Sequence, residues 1–455
     1  MEMVLEFLRD VLSQPALLIG IMSCIGLIAL KRPFHKIMTG TLKPILGYLM
    51  LAAGAGVIVS NLDPLGKMIE HGFHITGVVP NNEAIVAVAQ KVLGVETMSI
   101  LVVGLLMNLC IARFTKFKYV FLTGHHSLFM ACLMSAVLGT AGLSGMELIL
   151  VGGFLMGAWS AISPAIGQSY TSKVTDGDEI AIGHFGSLGY YLSAWVAKYV
   201  GKAEDSTEDI EIPEKWGFLR DSTLSTALTM IVFYLIAAFA AGSEFVATLS
   251  GDMSPYLYAV MSAMNFAVGV TIVYSGVRMI LGDLIPAFQG IATKIIPNAI
   301  PAVDCAVFFT YAPTAVVLGF LSSFIGGIIG MLILGAVGGV LIIPGLVPHF
   351  FCGATAGING NATGGRRGAA VGAFLNGLAI TFLPALALPV LGQLGFQNTT
   401  FGDADFAVMG LVLGNAYEWV GMAGIYGIVA IAALVLIVPN FIKTKGKVIN
   451  YVEED

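Results

Sequence analysis

The sequence predicts an all-α polytopic membrane protein with about eleven transmembrane helices arranged as two inverted repeats. Three observations carry this expectation. Of the 455 residues, 57% are hydrophobic and 11% charged, where soluble domains hold roughly 25% charged residues. Apolar runs recur from Pro15 to Asn440. At about 20 residues per span they supply on the order of ten crossings, with nothing left over for a sizeable soluble domain. A segment from the middle of the chain also returns near its end. The 56 glycines suit the same class, because glycine lets membrane helices approach closely and break.

The elements follow in order. The first fourteen residues carry acids where a cleavable signal needs a basic stretch, and no small-residue cleavage site follows the apolar run. The first span, 15–30, is therefore expected to stay in the mature protein. Lys31, Arg32, Lys36 and Lys43 follow it. Cytoplasmic loops are enriched in Lys and Arg, so this loop reads as cytoplasmic and the N-terminus as outside. A span at 44–60 leads outward, one at 98–113 returns to Arg113, Lys116 and Lys118, and the last, 408–440, ends at Lys443, Lys445 and Lys447. The tail 443–455 is then cytoplasmic, and termini on opposite sides require an odd number of spans. The net charge of −6 comes from acids gathered in one loop and the tail, and implies no nucleic-acid partner. Cys24, Cys110, Cys132, Cys305 and Cys352 stand singly in apolar surroundings without CxxC spacing, so neither disulfides nor thiolate metal sites are expected.

The repeat fixes the architecture. Residues 151–165 (VGGFLMGAWSAISPA) align without gaps on 371–385 (VGAFLNGLAITFLPA), an offset of 220. Close to that offset, Leu62-Asp63-Pro64 pairs with Leu284-Ile285-Pro286, Pro80 with Pro301, and Gly183 with Gly410. Residues 1–200 and 223–442 are thus two copies of one unit, joined by the hydrophilic linker 201–222 with its amphipathic segment. An odd number of spans per copy inverts one copy relative to the other. Such repeats characterise transporters whose binding site lies at the midplane, where broken helices meet.

Polar residues mark the breaks. Pro80-Asn81-Asn82-Glu83 opens an apolar stretch in the first copy, and Pro301-Ala302-Val303-Asp304 does so in the second. The acid stands three residues after the aligned proline in both, which would aim two carboxylates inward; ordinary helix capping is the alternative. Leu122-Thr123-Gly124-His125-His126-Ser127 lies inside a predicted span, Val347-Pro348-His349-Phe350 roughly aligns with it, and Gly183-His184-Phe185 occupies a Gly-rich segment. Adjacent histidines point to different sides of a helix and no Cys or acid stands at ligand spacing, so no metal and no other cofactor is expected. The histidines read either as rings held by backbone carbonyls or as donors to a polar substrate. The run from Gly353 to Gly364-Gly365-Arg366-Arg367 is too small and polar for lipid contact. It reads as a broken helix or re-entrant hairpin with the arginine pair at its aqueous end.

These residues together resemble the membrane-embedded IIC component of a phosphoenolpyruvate-dependent phosphotransferase system (PTS), specifically its ascorbate family. The resemblance spans nearly the whole chain. It rests on Leu122-Thr123-Gly124-His125, Val174-Thr175-Asp176-Gly177, Ile182-Gly183-His184, Ala302-Val303-Asp304-Cys305-Ala306, Tyr311-Ala312-Pro313, Ile342-Ile343-Pro344-Gly345, and Gly364-Gly365 with Arg367. It implies a homodimer in the bacterial cytoplasmic membrane, each protomer divided into a substrate-carrying core domain and a scaffold domain, with an elevator-type movement. It also implies that a separate IIB protein, supplied by IIA, phosphorylates the substrate, so that no catalytic phosphoryl-transfer residue belongs to this chain. Carried over, the substrate pocket falls on Asn82, Glu83, His125, His126, Phe129, His184, Phe185, Asp304 and His349. Phe129 and Phe185 depart from the family pattern, which has amides there, and Glu83 adds a carboxylate. Ascorbate is an anion, and each carboxylate at contact would repel it by roughly 1 to 4 kcal/mol. A neutral pentitol or pentose is therefore the alternative to L-ascorbate. A proton-coupled secondary transporter using Glu83 or Asp304 is the competing class. A membrane enzyme finds no nucleophile, base and orienting acid: Ser127 beside His126 lacks the third member.

Overall fold

A computed structural model describes residues 11, 14–74, 77–78, 80, 82–177, 179–210, 222–392 and 400–441. The amphipathic part of the linker at 211–221 and the tail at 443–455 lie outside the described residues. In order come α1 (Pro15–Ala29), α2 (Phe34–Phe73), α3 (Asn82–Phe114), β1 (Tyr119–Phe121), α4 (Gly124–Thr140), α5 (Gly145–Thr175), β2 (Ala181–Ile182) and α6 (Ser187–Val200). There follow α7 (Ser222–Ala241), α8 (Ser243–Ser250), α9 (Pro255–Lys294), β3 (Ile300–Val303), a 3-10 turn (Cys305–Thr310), α10 (Pro313–Ala336), α11 (Leu346–Gly392), α12 (Ala404–Val420) and α13 (Met422–Ile437). Among the described residues seven helices are long and apolar enough to cross a membrane, or eight if the sharply bent pair α7 and α8 is one span. The chain is a polytopic helical membrane protein, as its composition requires.

Two helix groups pack around the middle of the chain. In the first, α2 lies against α1, α7 and α9. The 40-residue helices α2 and α9 touch backbone to backbone through glycines. A Cβ on Gly47 would stand 2.8 Å from the Gly276 carbonyl oxygen, and one on Gly54 would stand 2.7 Å from that of Gly269. Lipid tails supply no hydrophobic drive between helices, so this close approach and its dispersion contacts hold the pair. In the second group α3 packs on α4 and α5, α10 on α11, and α11 on α6 and α12.

The two groups meet around short strands. β3 lies between β1 and β2 in a parallel three-stranded sheet, with Tyr119 to Phe121 opposite Ile300 to Ala302 and Ala181-Ile182 opposite Ala302-Val303. Two single bridges, Val78 with Ile342 and Pro80 with Thr400, run parallel elsewhere. β1 and β2 feed directly into α4 and α6, and β3 into the 3-10 turn, so the three strand ends converge where those elements begin. The expected break in the small, polar run is present. Gly364 (φ −144°) and Gly365 (φ +58°, ψ −155°) interrupt α11. A Cβ at Gly365 would lie 2.3 Å from the Lys202 carbonyl oxygen, so only glycine fits both the dihedral and the space. Arg366 and Arg367 are exposed beside it.

Candidate functional site

The site is assembled at the C-terminal ends of the three parallel strands. The sequence suggested that Leu122 to Ser127 lies inside a span; instead β1 ends at Phe121 and α4 starts at Gly124, which puts His125 and His126 in the first turn of a helix. Their backbone N–H groups are therefore not consumed by a preceding turn. Asp304 follows β3, caps the 3-10 turn by accepting from Ala306 N (3.1 Å), and faces His125, with Nε2 to Oδ2 at 3.4 Å. Tyr48 on α2 reaches the other ring nitrogen of His125, O to Nδ1 3.2 Å. The His125 side chain is 39% exposed, whereas that of Asp304 is 8% exposed. This pair is buried at its carboxylate end and open at its imidazole end.

A second constellation stands behind it. The His126 and His184 rings lie 3.7 Å apart, tilted by 46°. Phe185 N–H donates to His126 Nδ1 (3.3 Å), and Gly186 N–H donates to His184 Nδ1 (3.1 Å), which Tyr190 O–H also approaches at 2.8 Å. In a neutral ring the nitrogen that accepts carries no proton, so both rings present Nε2–H as their donor. Asp403, just before α12, accepts from Asn82 Nδ2 (2.6 Å) and from Cys352 Sγ (2.9 Å), with His184 at 3.9 Å. Asn82 closes the link by accepting from Gly402 N (2.9 Å). Aromatic rings form the adjoining wall. Phe185 stacks on Phe121 at 4.6 Å, and Phe406 touches Phe129, Phe185 and His126.

Most of the sequence candidates thus come together: Asn82, His125, His126, Phe129, His184, Phe185 and Asp304. The Glu83 side chain lies outside the described residues. His349 points elsewhere. It sits between α10 and α11, bonded to Ser323 Oγ through Nδ1 (2.9 Å) and edge-on to Phe324. Sequence reasoning singled out neither Asp403 nor Asp405, which stand just before the last predicted span at 408–440. A signal was available, since two acids two residues apart at the mouth of an apolar run invite the intramembrane reading.

No acid was expected at ligand spacing, yet the fold brings His126, His184 and Asp403, and also His184, Asp304 and Cys305, within 4.8 Å of one another. The hydrogen bonds argue against an ion there. A histidine that binds metal through one nitrogen donates its proton from the other, and here Nδ1 of both rings accepts N–H groups. A groove between α7 and α10, lined by Thr229, Val232, Phe233, Leu321, Phe324 and Ile325, offers one hydroxyl side chain among apolar ones, where a sugar needs several convergent polar groups.

The comparisons with known proteins agree with this chemistry. The profile of the PTS system sugar-specific permease component matches residues 10–405. A relative from Mycoplasma pneumoniae, the ascorbate-specific PTS system EIIC component, is 28% identical over 424 residues, with 80% of this chain aligned. The match spans 63% of that relative's length. A polytopic helical chain with a polar site at its broken elements, matched over most of its length by that profile, belongs to the sugar-specific permease family of the phosphotransferase system.

Proposed function

We propose that this chain is the translocating IIC subunit for L-ascorbate or a closely related small polyhydroxylated substrate, which a separate cytosolic IIB protein phosphorylates on arrival. The observation that carries the reading is the half-open His125–Asp304 pair at the ends of β1 and β3. It offers an acceptor and a donor to a ligand's hydroxyls. Two further features support it. The Thr123 hydroxyl, two residues before His125, is buried without a partner among the described residues, and buried polar groups of that kind call for one. His126 and His184 supply donors suited to the oxygens of ascorbate. The relative's name points to the same substrate. A pentitol or pentose is the second reading, favoured by Phe129 and Phe185, whose faces meet CH groups rather than oxygens.

The same proposal includes two inverted repeats of about eleven membrane segments, with the N-terminus outside and the C-terminus in the cytoplasm. The strand pairing supports the repeat. β3 is flanked by 119–121 and 181–182, as the segment at 78–80 is flanked by Ile342 and Thr400, each shifted by close to the same offset. On this reading Gly183 corresponds to Gly402 rather than Gly410. Gly183 backs onto Ala302, and Gly402 packs on Pro348 with Pro80 beside it. The glycine-crossed group of α1, α2, α7 and α9 fits a scaffold that supports a homodimer, and the remaining helices fit a core that rises and falls against it, elevator-fashion, within the lipid.

A thermal-shift screen of the purified protein against ascorbate, pentitols and pentoses tests the substrate, since a ligand that binds only the native state raises stability. Stabilisation by pentitols alone would replace ascorbate. Uptake that survives a collapsed proton gradient and stops without IIB is expected; the reverse pattern would make this a proton-coupled transporter.

A further inference from the structure

Asp405 is fully buried in the first turn of α12, and the transport reading above has no use for it. Its bonds are nevertheless directed at one place. Its backbone N–H donates to the Phe185 carbonyl (2.9 Å). Oδ1 accepts from Leu188 N (2.9 Å), and Oδ2 accepts from Ser187 Oγ (2.9 Å) and from Trp159 Nε1 (3.1 Å). A buried carboxylate is tolerated only where its lone pairs are met. Here three of the four bonds go to residues 185–188, and the fourth goes to an indole on α5 behind them.

The local sequence explains why that loop needs an outside partner. Helix α6 begins at Ser187 after Gly186, which has no side chain to cap it. The first-turn amide of Leu188 would otherwise be an orphan donor in a buried setting. Asp405, 217 residues further along the chain, supplies the missing cap. The Phe185 peptide is then held from both ends, its N–H by His126 Nδ1 and its C=O by the Asp405 amide. His184 and Phe185 have little freedom to turn while these bonds persist.

We infer that Asp405 is a positioning residue for substrate recognition: from the second half of the chain it caps α6 and fixes the loop that presents His184 and Phe185. This rests on the reading of those two residues as part of the pocket. The acceptor pattern matters as well as the shape. Asparagine would put an amide N–H where only acceptors fit, against either Leu188 N–H or the Trp159 indole N–H.

The test compares Asp405→Asn, Trp159→Phe and the double variant as full chains, by hydrogen exchange of peptides covering 183–188 and 300–306 and by ascorbate affinity. Asp405→Asn is expected to speed exchange at 183–188, to leave 300–306 unchanged, and to weaken ascorbate binding roughly tenfold, the loss of one buried hydrogen bond. Adding Trp159→Phe removes the opposed indole donor, and is expected to recover part of both effects. Unchanged exchange at 183–188 in Asp405→Asn, or no recovery in the double variant, would overturn the assignment. Should the parent protein bind no ascorbate, the transport reading loses its substrate, while the exchange data still decide the role of Asp405.

Discussion

The two carboxylates that stand beside histidines in this site differ in what surrounds them. Asp304 has a backbone amide and the half-exposed ring of His125 as partners. Asp403 has Asn82 and Cys352 as donors, with the His184 ring close by, and neither its side chain nor that of His184 is more than 6% exposed. The first acid can exchange a partner for a ligand at small cost, because one side of its pair already meets solvent. The second is braced by donors from two elements, α3 and α11. Opening it would strand buried polar atoms, each worth about 1 to 3 kcal/mol. Under the proposed function, Asp304 with His125 serves recognition, whereas Asp403 serves cohesion.

Substitutions can break or sharpen that contrast. The largest effect is expected from Asp304→Asn, which should weaken substrate binding roughly 10- to 100-fold while leaving unfolding stability almost unchanged. Calorimetric titration beside a denaturation curve measures both, and an unchanged affinity would remove Asp304 from the pocket. Asp403→Asn should act in the opposite sense, lowering stability by about 1 to 3 kcal/mol with a smaller loss of affinity. Equal damage to binding from both variants would erase the distinction. Next in size, Phe129→Gln combined with Phe185→Gln should shift selectivity toward ascorbate by about 2- to 10-fold for each hydrogen bond gained, read from competition binding. No gain of ascorbate affinity would count against the pocket map. The smallest effect is expected for His349→Gln, which disturbs the bond to Ser323 and costs about 1 kcal/mol of stability with affinity untouched. A fall in affinity there would return His349 to the site.

Much of the fold was legible because membrane burial writes itself into composition. Long apolar runs, the glycine content and the proline-led polar breaks at Pro80 and Pro301 follow from the cost of placing charge or unpaired backbone in lipid. His125 and Asp304 each stood out as polar residues in an apolar segment, but the residues themselves paired Asp304 with Glu83, and only the family resemblance grouped it with His125. The Gly364-Gly365 break was readable from its small, polar surroundings. His349 looked equivalent to His125 by rough alignment, yet its ring turns into the α10–α11 contact. Helix rotation, which decides that, leaves no trace in a stretch that is apolar on every side.

By itself the sequence determined the membrane class and singled out the acids and histidines at the interruptions of its apolar runs, because each reflects a local cost that any fold of this chain must meet. Only the tertiary structure decided which of them meet. Asn82 reaches Asp403, and Leu188 reaches Asp405, across 321 and 217 residues. The tautomers of His126 and His184 follow from backbone amides that no spacing rule connects to them. Hydrogen bonds are short and directional, so a partner distant in sequence is specified only when strand pairing and helix packing have brought its atoms within about 3 Å.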